Sequence, residues 1–141
     1  MGIIDADATR VDIGIIVRDM AAMAAFYTDV LGFRLLDDRS YASGTRMLVL
    51  QGGATRIKLN RPDPAPTTPS PGGAHRDAFG YRYLTVWIVD AQAAYDELAA
   101  RGEDLAGPVR ESPAGRLFFV RDPDGNHVEL VEPVSRSGGD S

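Results

Sequence analysis

The sequence predicts an α+β protein built from two tandem βαβββ modules, and three observations carry that prediction. Apolar residues alternate over residues 11–17 and again over 83–89, the period of a half-buried strand. Each stretch runs into an aspartate, Asp19 or Asp90, followed by apolar residues at helical spacing and then a glycine, Gly32 or Gly102. Those are the start and stop signals of a helix. The two aspartates lie 71 positions apart, and so do Pro62 and Pro133, so the pattern is a repeat.

In the first module Val11, Ile13, Ile15 and Val17 share a face, and Met20, Met23, Ala24, Tyr27, Val30 and Leu31 form the apolar stripe of the helix. Residues 33–38 read as a short strand. Residues 46–51 and 55–60 flank Gly52, Gly53 and Ala54 and read as a hairpin. Residues 61–80 then hold five of the nine prolines. Proline lacks the amide donor that a sheet needs, so this stretch is expected to be a linker or a lid-like loop.

The second module repeats the order. Leu84, Val86 and Ile88 share a strand face, and Asp90 caps a helix whose apolar side is Ala91, Ala94, Tyr95 and Leu98. Residues 108–111 read as a weak short strand. Residues 117–121 and 127–131 flank the turn Asp122-Pro123-Asp124-Gly125. One domain is expected over 11–133, with module 1 at about 11–62, the Pro-rich linker at 61–80 and module 2 at about 81–133. Residues 1–10 and 134–141 are rich in Asp, Gly and Ser and are expected to be flexible ends.

Composition narrows the function. The chain has 141 residues, 44% of them apolar and 25% charged, the balance of an ordinary globular domain. There is no cysteine, which excludes disulfides and thiol chemistry and fits a cytoplasmic setting. No apolar run reaches the ~20 residues of a membrane span, and no signal peptide is visible. A net charge of −5 without a basic stripe argues against nucleic acid. A small molecule is the expected partner.

Val-Asp-Ile-Gly-Ile-Ile-Val-Arg-Asp-Met at 11–20, with Phe26-Tyr27 and Leu31-Gly32-Phe33 after it, resembles the opening of vicinal oxygen chelate proteins. Glyoxalase I, bleomycin-resistance proteins, extradiol dioxygenases and methylmalonyl-CoA epimerase belong to that superfamily. Asp-Pro-Asp-Gly-Asn-His-Val-Glu-Leu at 122–130 resembles its recurrent ending. The resemblance implies paired βαβββ modules forming a curled mixed sheet around one cavity, and commonly a homodimer. In catalytic members the cavity holds a divalent metal on four strand positions, usually His or Gln, Glu, His and Glu. Here the 71-residue register sets Asp12, Lys58, Tyr83 and Glu129 at those positions.

That quartet departs from the pattern. A lysine ammonium has no lone pair to offer a metal, and a tyrosine is a poor ligand unless ionised. Only Asp12 and Glu129 are natural ligands. His127, two residues before Glu129 on the same strand face, is the one nearby imidazole, and an irregular Asp12–Glu129–His127 site stays open. No cofactor is expected otherwise.

Each candidate carries a plain reading beside the functional one. Lys58 is either a lysine whose stem packs on the sheet, alongside polar Arg56 and Asn60, or a fixed positive charge standing in for the metal between Asp12 and Glu129. Glu129 is either its ion-pair partner or an acid/base group. Tyr83 is either a core aromatic or a hydrogen-bond donor to a substrate carbonyl. Trp87, on the face of Tyr83 and Thr85, is a candidate cavity wall or simply core. Tyr81 lies within reach of the rim, and Asn60 is a further substrate-binding candidate. His127 reads as a surface-strand residue before it reads as a catalyst. The functional expectation is a glyoxalase- or bleomycin-resistance-like small-molecule protein, a metal-independent isomerase, lyase or cyclase acting next to a carbonyl. The alternatives are a non-catalytic binding or drug-sequestering protein for an anionic or flat aromatic ligand, and a divalent-metal lyase or dioxygenase with unusual ligands.

Overall fold

Strand β1 (Asp12–Ile16) turns its Ile13 and Ile15 inward and leaves Gly14 and Ile16 exposed, as its alternating sequence requires. A computed structural model describes residues 2–134 of the chain; the expectation for 135–141 lies outside the described residues. Asp19 follows β1 as the N-cap of α1 (Met20–Ala25), its carboxylate accepting from the Ala22 amide at 3.1 Å. After that come β2 (Arg34–Ser40), β3 (Arg46–Gly52) and β4 (Thr55–Arg61). The four strands make one mixed sheet in the order β1-β4-β3-β2, parallel between β1 and β4 and antiparallel elsewhere.

The predicted helix to Leu31 needs a correction. The α-helix ends at Ala25, and Phe26–Val30 forms a π-helical turn, closed by the Leu31 amide donating to the Phe26 carbonyl at 3.0 Å. Phe26 and Tyr27 are neighbours in sequence, so an α-turn would splay them about 100° apart. In the wider turn both are buried, with rings edge-on at 5.1 Å. With Met20, Met23, Leu48, Leu50, Ile57 and Leu59 they are among the buried apolar residues of this unit. Full burial of such a side chain stabilises by about 1.5–3 kcal/mol.

The chain divides into two compact units, Met1–Pro69 and Ser70–Ser141. In the second, β5 (Tyr83–Trp87) is shorter than the predicted 83–89 and is followed by α2 (Ala91–Ala100), capped by Asp90. Then come β6 (Asp104–Leu105), β7 (Arg110–Ser112), β8 (Gly115–Arg121) and β9 (His127–Pro133). The predicted strand at 108–111 is displaced to Arg110–Ser112, and the two-residue β6 is an addition to the βαβββ plan. The sheet runs β5-β9-β8-β6, with β7 also on β8 and the β5–β9 pair parallel. Its helix side buries Ala91, Leu98, Phe118, Val120, Val128 and Leu130, and on the other side Leu117, Phe119 and Val131 form a second small core with Ala106.

The pairing registers confirm the repeat. Tyr83 stands opposite His127 and Thr85 opposite Glu129 in the parallel pair of the second unit. Asp12 stands opposite Arg56 and Gly14 opposite Lys58 in the first. Every one of those positions is displaced by 71.

Candidate functional site

In the first unit, β1 and β4 bring Asp12, Gly14 and Ile16 onto one face with Arg56, Lys58 and Asn60. Lys58 Nζ lies 3.7 Å from Asp12 Oδ2, with the lysine side chain 43% exposed and the aspartate 17%. Asp12 has a stronger partner that the sequence reading missed. Arg10 Nε and Nη2 donate to its two oxygens at 2.8 and 3.2 Å, the forked geometry of a guanidinium on a carboxylate. The Arg10 hydrogen bond holds the Asp12 carboxyl below its ordinary value of 3.8 against the opposing effect of burial, and Lys58 and Arg56 add to the lowering. Asn60, two residues beyond Lys58 on the same face, buries its Oδ1 without a hydrogen-bond partner among the described residues.

The second unit carries a cleft of about 660 Å³, a size that suits a small organic molecule. Its lining lies wholly within this unit. Phe119 and Leu117 of β8 provide an apolar floor, Tyr83 and Glu129 rise from β5 and β9, and Arg110 and Ser112 come from β7. Arg76, Arg82 and His75 come from the segment before β5. Phe119 and Glu129 are register partners, and Glu129 also faces Thr85, whose Oγ1 donates to Glu129 Oε1 at 2.9 Å. Three guanidiniums against one carboxylate make the cleft locally positive in a chain of net charge −5. Among the described residues neither Arg76 nor Arg110 has an ion-pair or hydrogen-bond partner; Arg110 Cζ sits 5.8 Å from the Phe119 ring centre.

Two histidines complete the neighbourhood. His75 stacks on Phe119 at 4.3 Å with 12° between the planes. His127, expected at the surface of its strand, is buried instead, 5% exposed, with its ring 6.0 Å from Phe119 and 5.9 Å from His75. The physical reason is the pair of rings packed against it, His75 from the segment before β5 and Phe119 from β8. Burial lowers both imidazoles below 6.5. Arg76 and Arg110 push His75 the same way while Glu129 opposes; Arg121, His75 and Arg82 do so for His127 while Asp104 opposes.

The predicted residues therefore separate into groups. Asp12 and Lys58 are brought together in the first unit, with Asn60 beside them. Tyr83 and Glu129 share the second unit's cleft. Trp87 lies farther along β5, 60% exposed and outside that cleft's lining, and Tyr81 points fully into solvent. Sequence reasoning missed His75, Arg76, Arg82, Arg110 and Phe119. Phe119 alone had a usable signal, since counting back from the turn at 122–126 sets it opposite Glu129.

At the positions where the resemblance implies metal ligands, the side chains of each unit are already engaged or cationic. Asp12 already has both oxygens on Arg10, Lys58 is itself a cation, and Glu129 accepts from Thr85. Among the described residues no group of three or more His, Asp or Glu side chains is placed to hold a metal ion.

Comparison with known proteins agrees with this architecture. A lactoylglutathione lyase of Pseudomonas putida is 26% identical over 84% of this chain and 81% of its own length. The uncharacterized protein YaeR of Escherichia coli is 33% identical over 85% of this chain and 92% of its own. The crystal structure of TnmS3, an antibiotic binding protein from Streptomyces sp. CB03234, superposes with a TM-score of 0.68 and 28% identity, covering 92% of this chain and 99% of that one. The family model described as Glyoxalase/Bleomycin resistance protein/Dioxygenase superfamily matches residues 10–130. With the duplicated βαβββ units and their registers, that match places the chain in the glyoxalase/bleomycin resistance protein/dioxygenase superfamily.

Proposed function

We propose that this protein binds a small organic anion in the cleft of its second unit. The observation that carries the reading is that Arg76 and Arg110, with no ion-pair or hydrogen-bond partner among the described residues, line the cleft whose floor is Leu117 and Phe119. An anion gains most from donors that are already in place and committed to no other carboxylate. The antibiotic-binding neighbour supports a binding role. The test is calorimetric titration of the purified chain with aromatic and aliphatic carboxylates. Arg110→Gln should weaken binding of the tightest acid at least tenfold; unchanged affinity would sink the reading.

A second reading is catalysis without metal, as an isomerase, lyase or cyclase beside a carbonyl. It is favoured by Glu129, whose carboxylate lines the cleft beside Tyr83 with the Thr85 hydroxyl orienting it. Tyr83 would donate to a carbonyl oxygen while Glu129 moves the adjacent proton. The relative named lactoylglutathione lyase lends it family-level support. Conversion of a bound carbonyl compound that is abolished by Glu129→Gln and slowed tenfold by Tyr83→Phe separates this from binding alone. Lys58→Met and Asp12→Asn test in the same assay whether the first unit contributes. Cytoplasmic placement and a homodimer remain part of the proposal, tested by fractionation and light scattering.

A further inference from the structure

The best-formed contact in the cleft is one the chain makes with itself. His75 covers the face of Phe119. Tyr83 meets both rings edge-on, at 5.5 Å from each, and His127 lies 5.9 Å from His75 and 6.0 Å from Phe119. One flat face bounded by ring edges is the way a protein grips a planar group. Of the four rings, only His75 does not come from a strand.

His75 is an ill-matched occupant. Arg76, Arg82 and Arg110 surround it and Glu129 alone opposes them, so its protonated form is disfavoured and its neutral form gains little from the cations. A planar anion on the same face would gain from all three. The segment that delivers His75 is held by polar contacts that water can replace. Arg82 donates to the carbonyls of Ala74 at 3.0 Å and His75 at 3.2 Å, and more weakly to Gly72 and Pro71 at 3.4 and 3.5 Å. Asp77 accepts from the Ala74 amide at 2.8 Å. Residues 71–74 are exposed.

We propose that the face of Phe119 is the seat for the ring of an aromatic carboxylate, that His75 holds this seat in the free protein, and that the ligand displaces it. The inference rests on the reading of the cleft as an anion site and adds the ligand's class and the residue it must move. Arg110, 5.8 Å from the centre of the same ring, is the guanidinium placed to take the carboxylate.

The experiment uses the full chain, with 2-naphthoate as the planar acid and decalin-2-carboxylate as a non-planar acid of equal charge and similar size. Wild type should bind 2-naphthoate at least tenfold more tightly. His75→Ala should strengthen 2-naphthoate binding at least threefold, because a competing occupant has been removed, and Phe119→Leu should weaken it at least tenfold. In the wild type the His75 ring proton resonances, shifted by the Phe119 ring current, should return toward free-histidine positions as 2-naphthoate is added. That measurement serves if Phe119→Leu does not fold. Weaker or unchanged binding in His75→Ala, unmoved His75 resonances, or equal affinity for the two acids would overturn the seat. If both acids bind equally and Arg110→Gln abolishes both, the anion site stands and the seat falls. If neither acid binds wild type, both fall.

Discussion

Arg10 grips both carboxylate oxygens of Asp12 from two residues away along the same stretch of chain. The resemblance implies a metal ligand at this position, and here the carboxylate is engaged by a cation of the chain's own. Removing that cation should be visible at Asp12 itself. In Arg10→Gln the Asp12 carboxyl should titrate higher, toward 3.8, and Lys58→Met should produce a smaller rise in the same direction, because Arg10 is the first cause of the lowering. Carboxyl carbon NMR through an acid titration reads both. The sign for stability follows: a carboxyl lowered in the folded state favours folding above its unfolded value, and that contribution is lost as pH falls through the folded one. Arg10→Gln should reduce it.

His75 and His127 give stability the same direction of pH dependence at a higher pH. Each is lowered by burial first, so the unfolded chain takes up protons before the folded one does. Their neutral forms fit the fold fully above about 6.5, and stability should decline as pH drops below that value. Denaturant midpoints measured at pH 7.5 and pH 5 should show the decline, and His127→Gln should flatten it. An equally steep loss in the variant would remove His127 as its source.

Gly115 opens β8 with φ +140, and a Cβ there would lie 1.9 Å from the Glu132 carbonyl oxygen across the ladder. Gly115→Ala should cost about 3 kcal/mol, combining backbone strain with overpacking. Gly14→Ala meets nothing within 4 Å and has no such φ, so it should stay within about 0.5 kcal/mol. Chemical denaturation of the two variants makes the comparison.

Asp90 accepts from the Ala93 amide at 3.0 Å, and Glu132 reaches from β9 to accept from the Ala91 amide at 2.9 Å. Two of the four open amides of α2 are thereby satisfied, one locally and one from the sheet. Asp90→Ala should lower stability by about 1 kcal/mol. Glu132→Ala should lower it too, and the double variant should exceed the sum because the α2 terminus then loses both acceptors. A double-mutant cycle in urea measures the coupling.

Counting positions was enough to find the fold because a repeat constrains both halves at once. The pairs Asp12–Arg56 and Tyr83–His127 occupy the same register, and the spacing of Asp19 and Asp90 already contained it. The same count brought Lys58 to Asp12 and Tyr83 to the side of Glu129. What it did not contain were contacts with no period. Phe26 and Tyr27 chose a π-turn because both rings found core, a tertiary preference that helical spacing does not encode. His75 and Arg82 belong to or border the Pro-rich stretch, where neither a strand nor a helix period exists to say which way a side chain points. His127 is buried among rings brought from other elements, a contact that strand alternation does not encode.

Arg82 has a place in two structures at once. Its guanidinium lines the cleft, yet its N–H groups are the hub around which the carbonyls of residues 71, 72, 74 and 75 are gathered, much as a crown ether gathers around a potassium ion. An anion entering beside it competes for those N–H groups with the segment that they organise. Occupancy of the cleft and order in the segment are then linked quantities, and the linkage is reciprocal: whatever loosens the segment favours the anion by the same factor that the anion loosens the segment.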